Sequence, residues 1–232
     1  MKKILITSGG TREYIDDVRV LTNISTGKLG AKIAERFLSE NKFERHKEAI
    51  INYEVHYVAP ETAAWPFFKS GIYHRDFTFH KITDVMSLYN TLAALVPQMD
   101  VVIHSMAVSD FSFNPIQAKL KSNDPMAFIE SLKERIVMTP KIISRIKEWN
   151  PNCFLVGFKF EVGLQMKELI NAALELMEKN KCNLVVANDK AEMIKLNAHI
   201  AYLIEGMSHH KIVSGKDKIA DGIFDSVNSY LK

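Results

Sequence analysis

The amino-acid sequence predicts an α/β fold: a Rossmann-like, mostly parallel sheet with helices on both faces, an antiparallel edge pair and a long loop over one end. Short apolar runs that stop at Ser, Gly, Asn or Asp alternate with segments whose apolar residues recur every three or four positions, the strand–helix alternation of a parallel sheet. Near the C-terminus the alternation gives way to two successive strand-like runs, residues 198–204 and 210–213, which read as the antiparallel pair. Residues 108–124 are polar, interrupted by proline and without a period, and a connection of that length inside an α/β unit is more often functional than idle.

The elements follow in order. KILIT at residues 3–7 is a buried strand cut off by Ser8-Gly9-Gly10-Thr11, and a polar loop is expected from there to Thr26. Leu29, Ile33 and Phe37, with Ala34 and Leu38 beside them, mark one face of a helix. The charged stretch 41–48 reads as a solvated connection, and residues 54–59 as a second strand ending at Pro60. Val85, Leu88, Leu92 and Leu95 space a helix closed by Pro97, and DVVIHS at 100–105 is a third strand. Thr139-Pro140 has the form of an N-cap followed by proline in the first turn, so a helix burying Ile142, Ile143, Ile146 and Trp149 is expected to start there. A strand at 154–158, a helix at 166–177 and a strand at 184–187 come next. A last helix carries Ala220, Ile223, Phe224, Val227 and Leu231 on one side. Without internal repeats, residues 1–232 are expected to form one domain.

Composition excludes several function classes. Thirty Lys+Arg against 27 Asp+Glu leaves +3, too small an excess to mark nucleic acid or an anionic membrane as partner. No apolar run is long enough to span a bilayer, and MKKILITSGG turns polar too early for a secretory signal. Cys153 and Cys182 stand far apart, which leaves neither a disulfide framework nor a cysteine zinc site and fits a cytoplasmic setting; both are expected inside strands as small hydrophobes. The histidines lack metal-ligand spacing and HExxH is absent, so they are read as structural or exposed and no metal ligand is assigned.

Ligands of an open parallel sheet bind at the carboxyl ends of its strands. Four such ends carry chemistry here. Ser8-Gly9-Gly10-Thr11 and the related NISTGKLG at 23–30 run into a helix N-terminus, where small residues let backbone N–H groups approach an anion. A plain turn would account for one glycine pair, whereas two glycine-bearing segments at the same edge favour phosphate. Neither GxGxxG nor GxxxxGK[ST] is present. SMAVSDF at 105–111 presents Asp110 either to a ribose or polyol or as the cap of a turn. GFKFE at 157–161 offers Phe158 as an aromatic face for a base or as a core residue. Ala187-Asn188-Asp189 offers a ligand hydrogen bond or ordinary turn chemistry. Lys119 and Lys121 are solvated charges by default, with a function only if a phosphate lies near.

Together, SGGTRE at 8–13, VRxLxNxSTGKLG at 18–30, AVSDF at 107–111, KLKS at 119–122, TPKII at 139–143, GFKFE at 157–161 and AND at 187–189 resemble the phosphopantothenoylcysteine synthetase family. The resemblance implies a ligase of coenzyme A biosynthesis. The carboxylate of 4′-phosphopantothenate attacks the α-phosphorus of a nucleoside triphosphate, pyrophosphate leaves, and the amine of L-cysteine displaces the nucleotide from the acyl-nucleotide. CTP is the expected nucleotide, with ATP as the alternative, and Mg²⁺ is expected on the triphosphate. Because the first strand begins at residue 3, the resemblance implies the stand-alone form, with the flavin-dependent decarboxylase as a separate partner.

Residue by residue, the resemblance assigns Lys119 to the triphosphate and the first step, and Asn23 to the acyl carbonyl and the second step. It assigns Gly9, Gly10, Ser25, Gly27 and Gly30 to the phosphate and nucleotide cradle. Phe158, Asn188 and the Met138-Thr139-Pro140 turn go to the nucleotide. Ala107 and Asp110 go to the substrate, approached in this family from the neighbouring subunit of a homodimer, and residues 108–124 to an active-site flap. Met106 stands where many members have alanine, and Lys179 and Lys181 lie near the expected triphosphate-binding lysine. Two rivals remain: an NAD(P)-dependent reductase, which would need the GxGxxG or YxxxK that the chain lacks, and a non-catalytic nucleotide-binding module.

Overall fold

The alternating apolar runs assemble into an eight-stranded sheet. The computed structural model describes residues 1–40, 51–67, 75–116, 119, 124–207 and 209–232. In chain order the elements are β1 (Lys2–Thr7), β2 (Arg12–Tyr14), β3 (Val20–Thr22), α1 (Lys28–Glu40), β4 (Tyr53–Ala59), β5 (Phe77–Lys81), α2 (Val85–Leu95), β6 (Val101–His104), β7 (Phe111–Phe113) and α3 (Pro125–Lys133). They continue with β8 (Ile136–Met138), α4 (Ile142–Trp149), β9 (Phe154–Glu161), α5 (Met166–Asn180), β10 (Leu184–Asp189), α6 (Lys190–Lys195), β11 (Ile200–Gly206), β12 (His209–Ser214) and α7 (Lys216–Leu231).

The sheet order is β12-β11-β10-β9-β6-β1-β4-β5. Pairing is parallel from β5 to β10 and antiparallel for β10–β11 and β11–β12, as the sequence predicts. After β1 the chain builds outward through β4 and β5, then returns to lay β6 on the other side of β1. The topological switch point therefore falls between β1 and β6, where open α/β sheets bind ligands.

Helices cover both faces, so the central strands are buried on both sides and read as continuous apolar runs. On one face Ile33 and Phe37 of α1 and Phe224 and Val227 of α7 pack on Ile4, Ile6, Val101 and Ile103. Phe37, Tyr53 and Phe224 meet edge to face, with centroids 5.2 to 5.8 Å apart. On the other face α2, α4 and α5 place Leu88, Ile142, Ile146 and Leu169 against Leu5, Val102, Leu155 and Val185. α2 begins with a capping box, in which the Ser87 N–H donates to Asp84 Oδ1 at 2.7 Å.

Several expectations are corrected. The stretch taken as loop up to Thr26 contains the β2/β3 hairpin, and the aperiodic 108–124 stretch contains β7, which pairs with β8. The edge strand β5 and the helices α3 and α6 were not anticipated. Helix α4 starts at Ile142 rather than at Thr139-Pro140, because the backbone is still extended at Lys141 (ψ 98°); Thr139 instead ties back to the segment after β6, its Oγ1 donating to the Ser109 carbonyl at 2.6 Å and its N–H to the Asp110 carbonyl at 3.1 Å. β9 runs on to Glu161 and β10 to Asp189, so GFKFE and AND lie within strands rather than beyond them. Cys153 and Cys182 are buried as expected but lie just ahead of β9 and β10. The 41–48 connection lies outside the described residues.

Candidate functional site

The carboxyl ends of β1 and β6 lie side by side at the switch point, and the segments that follow them continue their pairing. Gly10 bridges Ala107; the Ala107 N–H donates to the Gly9 carbonyl at 2.9 Å and the Thr11 N–H to the Ala107 carbonyl at 3.2 Å. Asn23 Nδ2 donates to that same Ala107 carbonyl at 3.3 Å. Three segments chosen from the sequence thus meet at one point, with the Asn23 side chain exposed above it. Ala107 lies here against Asn23 of its own chain.

The glycines around this junction are first of all packing glycines. Gly9 and Gly27 take φ of +83° and +74°, the left-handed region that side chains disfavour. A Cβ on Gly9 would come within 2.8 Å of Ala63 Cβ, and one on Gly30 within 2.7 Å of Ser8 Cβ. Ser8 Oγ donates to the Gly27 carbonyl at 2.9 Å and closes the turn against the start of α1. The packed turn leaves the N-terminal N–H groups of α1, which have no partners inside the helix, at the carboxyl edge of the sheet with exposed Ser25 ahead of them. Such a terminus favours an anion.

On the face covered by α4 and α5, a cleft of about 230 Å³ opens beside the junction, lined by His104, Met106, Asp110, Pro140, Phe158 and other residues of these segments. Thr139 pins the Met138-Thr139-Pro140 turn to residues 109–110, and Lys141 Nζ pairs with Asp110 Oδ1 at 2.5 Å across the mouth. The turn and the ligand readings of Asp110 both keep a structural basis: its backbone holds the 138–140 turn while its exposed carboxylate reaches the cleft. Phe158 is half-buried, its side chain packed into the core on the α1/α7 face, and it borders the cleft from the end of β9.

His104 is the residue that the sequence reading passed over. It sits at the end of β6, buried, with Nδ1 2.9 Å from Thr7 Oγ1, and it lines the cleft. Burial lowers its pKa to about 4, so the ring is neutral at ordinary pH. The one signal available was a histidine closing an otherwise apolar buried strand, DVVIHS.

Other expected residues lie apart from this point. Asn188 is buried in β10, two strands away from β6, and Nδ2 donates to the Ile200 carbonyl of β11. Lys119 is exposed on the long connection, and Lys121 lies outside the described residues. Lys179 and Lys181 close α5 ahead of β10, at the amino end of the strands and therefore opposite the cleft. Cys182 lies there too, its thiol pushed up to about 12 by burial, which makes it a poor nucleophile. Among the described residues no group of three or more His, Cys, Asp or Glu is arranged to hold a metal ion, and no helix is long and apolar enough to cross a membrane.

Comparison with known proteins gives a consistent picture. The model of the family described as the DNA/pantothenate metabolism flavoprotein C-terminal domain matches residues 1–42 and 67–231. The chain is 32% identical over 243 residues to the coenzyme A biosynthesis bifunctional protein CoaBC of Thermococcus kodakarensis, covering 99% of this chain and 52% of the relative. It is 29% identical over 231 residues to the protein of the same name in Methanocaldococcus jannaschii, covering 99% and 51%. The chain thus spans about half the length of the curated relatives it matches. The crystal structure of the DNA/pantothenate metabolism flavoprotein from Streptococcus pneumoniae superposes with a TM-score of 0.79 at 31% identity, over 99% of this chain and 100% of that one.

Proposed function

The chain belongs to the DNA/pantothenate metabolism flavoprotein C-terminal domain family, and from that premise we propose that it is a phosphopantothenate–cysteine ligase. It joins 4′-phosphopantothenate and L-cysteine through an acyl-nucleotide, with CTP as the nucleotide. The observation that carries the proposal is the β1/β6 junction. There SGGTRE and the Asn23 segment, the most specific pair of motifs, both meet AVSDF at Ala107, through the Gly10–Ala107 bridge and the hydrogen bond from Asn23 to the Ala107 carbonyl. The names of the bifunctional relatives, as proteins of coenzyme A biosynthesis, support the same reading.

In this reading the nucleotide spans the switch point. Its phosphates face the N-terminus of α1 at Ser25–Gly30, and its base enters the cleft beside Pro140, near the Phe158 end of β9, with the ribose toward Asp110. The first step crowds negative charge between carboxylate and triphosphate, and Lys119 on the flap supplies the compensating cation. Asn23 spends one amide hydrogen on Ala107, and its other hydrogen points the amide toward the acyl carbonyl, where it stabilises the oxyanion formed when cysteine attacks. In this reading Mg²⁺ enters with the triphosphate as part of the substrate, and no step is assigned to it.

We further propose that this domain works in the cytoplasm as a homodimer. The flap at 108–124 extends through α3 into β8. The apolar side chains that this arm exposes, Met126, Ile129, Ile136, Val137 and Met138, supply a surface for the second subunit. Pyrophosphate release with 4′-phosphopantothenate, L-cysteine and Mg²⁺, run with CTP and with ATP, tests the ligase. Release that requires phosphopantothenate, together with phosphopantothenoylcysteine in the mass spectrum, is expected. Folded protein that binds a nucleotide yet releases no pyrophosphate would instead favour the non-catalytic module.

A further inference from the structure

The floor of the cleft holds one polar group with an unspent hydrogen. Thr7 is fully buried, and its Oγ1 accepts the Met106 N–H at 3.2 Å and lies 2.9 Å from His104 Nδ1. Among the described residues the hydroxyl proton of Thr7 has no other acceptor, so it goes to Nδ1, since a buried hydroxyl is hydrogen-bonded. Nδ1 is then an acceptor, and the neutral ring carries its proton on Nε2. That atom has no partner among the described residues and is not sealed from solvent, and the ring lines the cleft. Met106, Val108, Pro140 and Ile142 give it apolar walls, while Ser109 and the paired Asp110 and Lys141 also line the cleft. At about 230 Å³ the space is smaller than the roughly 300–1,000 Å³ of a typical whole-ligand site, so it suits one flat ring system rather than a nucleotide.

We infer that His104 reads the nucleobase, its Nε2–H donating from the floor of the cleft to a ring-nitrogen or carbonyl acceptor on the edge of the base. Apolar faces with in-plane acceptors are what a base presents and what this cleft is built to take. A phosphate would call for a charged group at that depth, but the two charged side chains of the lining, Asp110 and Lys141, are exposed and paired with each other, and the floor offers a single neutral donor. The inference rests on the proposed nucleotide reading of the cleft and adds to it the group that recognises the base.

Two substitutions separate recognition from structure. In His104→Asn the amide oxygen falls near Nδ1 and still accepts from Thr7, but the side chain ends short of Nε2. In His104→Gln the amide N–H falls near Nε2 while the Thr7 partner is lost. Calorimetric Kd values for CTP and for ATP, with the base-free ribose triphosphate as control and Tm measured alongside, provide the readout. His104→Asn is expected to weaken the better nucleotide by about 5- to 10-fold, the value of one neutral hydrogen bond, at near wild-type Tm and with unchanged affinity for the base-free triphosphate. His104→Gln is expected to keep the nucleotide affinity at a lower Tm. A wild-type nucleotide Kd in His104→Asn, or an equal loss with the base-free compound, overturns the inference and leaves the ligase standing. Wild-type protein that binds neither CTP nor ATP overturns the nucleotide reading, and this inference with it.

Discussion

The junction at the ends of β1 and β6 and the arm from β7 through α3 to β8 lie next to each other and are built in opposite ways. At the junction, backbone bridges, the Ser8 hydroxyl and three glycines with no room for a side chain fix each group from within the chain. In the arm α3 buries no residue and β8 is exposed throughout. The arm is held by polar ties instead: Arg135 Nη1 donates to the carbonyls of Ile15 at 2.9 Å and Asn114 at 3.2 Å, and Asp124 caps α3. A region that must position reacting atoms is over-determined by its own fold. One that leaves its apolar side chains uncovered has surface to offer a partner, the place given above to the proposed second subunit.

The largest expected break in this contrast comes from the arm's one assigned chemical group. Lys119→Gln should slow pyrophosphate release by roughly 10²-fold or more, the effect of losing one preorganised charge contact, while leaving Tm unchanged because Lys119 is exposed. Wild-type release from that variant would remove Lys119 from the first step. Next is the junction itself. Gly30→Ala in an ordinary helix would gain up to about 1 kcal/mol, but here its Cβ meets Ser8, so a loss of about 1–3 kcal/mol is expected by denaturant titration. A stabilised variant would mean that the turn is looser than its contacts indicate.

A smaller effect follows from His104. Its folded pKa lies at about 4, below the ordinary 6.5, so between those values the unfolded chain binds the extra proton. Stability contributed by the neutral ring is complete above about 6.5 and falls as the pH drops toward 4, by at most roughly 1.4 kcal/mol per pH unit. His56 and His80, also lowered by burial, add to the same slope. Tm measured across this interval should fall less steeply for His104→Asn than for the wild type, and identical slopes would contradict the assignment. The smallest effect on folding is expected in the arm. Ile136→Ser, at an exposed position, should shift monomer stability by no more than about 0.5 kcal/mol. The same change should move sedimentation from dimer toward monomer, and an undisturbed dimer would place the subunit contact elsewhere.

The division between legible and illegible residues follows the same contrast. The strands next to the switch point and the helix after Thr26 were readable because burial on two faces, or on one helical stripe, imposes a period. β2, β3, β7 and β8 are three residues each, too short for alternation to show. Thr139-Pro140 carries a valid cap signature, yet the chain stays extended through Lys141 while Thr139 ties back to residues 109–110. The glycines at 9, 27 and 30 suggested an anion because small residues permit close approach, although here the approaching atoms are largely the protein's own. His104 gave almost no signal, since a neutral imidazole inside an apolar strand resembles any other core histidine. Lys119 and Asn23 drew their roles from motif resemblance, and only Asn23 gained a geometric partner, Ala107, from the fold.

The central claim is that the β1/β6 junction, through Asn23, serves the transfer of the acyl group to cysteine rather than its activation. Rapid-quench analysis of Asn23→Asp with phosphopantothenate, CTP and cysteine tests it most directly. The account predicts pyrophosphate release at close to the wild-type rate, with acyl-nucleotide accumulating because its transfer to cysteine is slowed by about 10²-fold. Equal slowing of both steps, with no acyl-nucleotide in the quench, would contradict it and reduce Asn23 to a structural tie on Ala107.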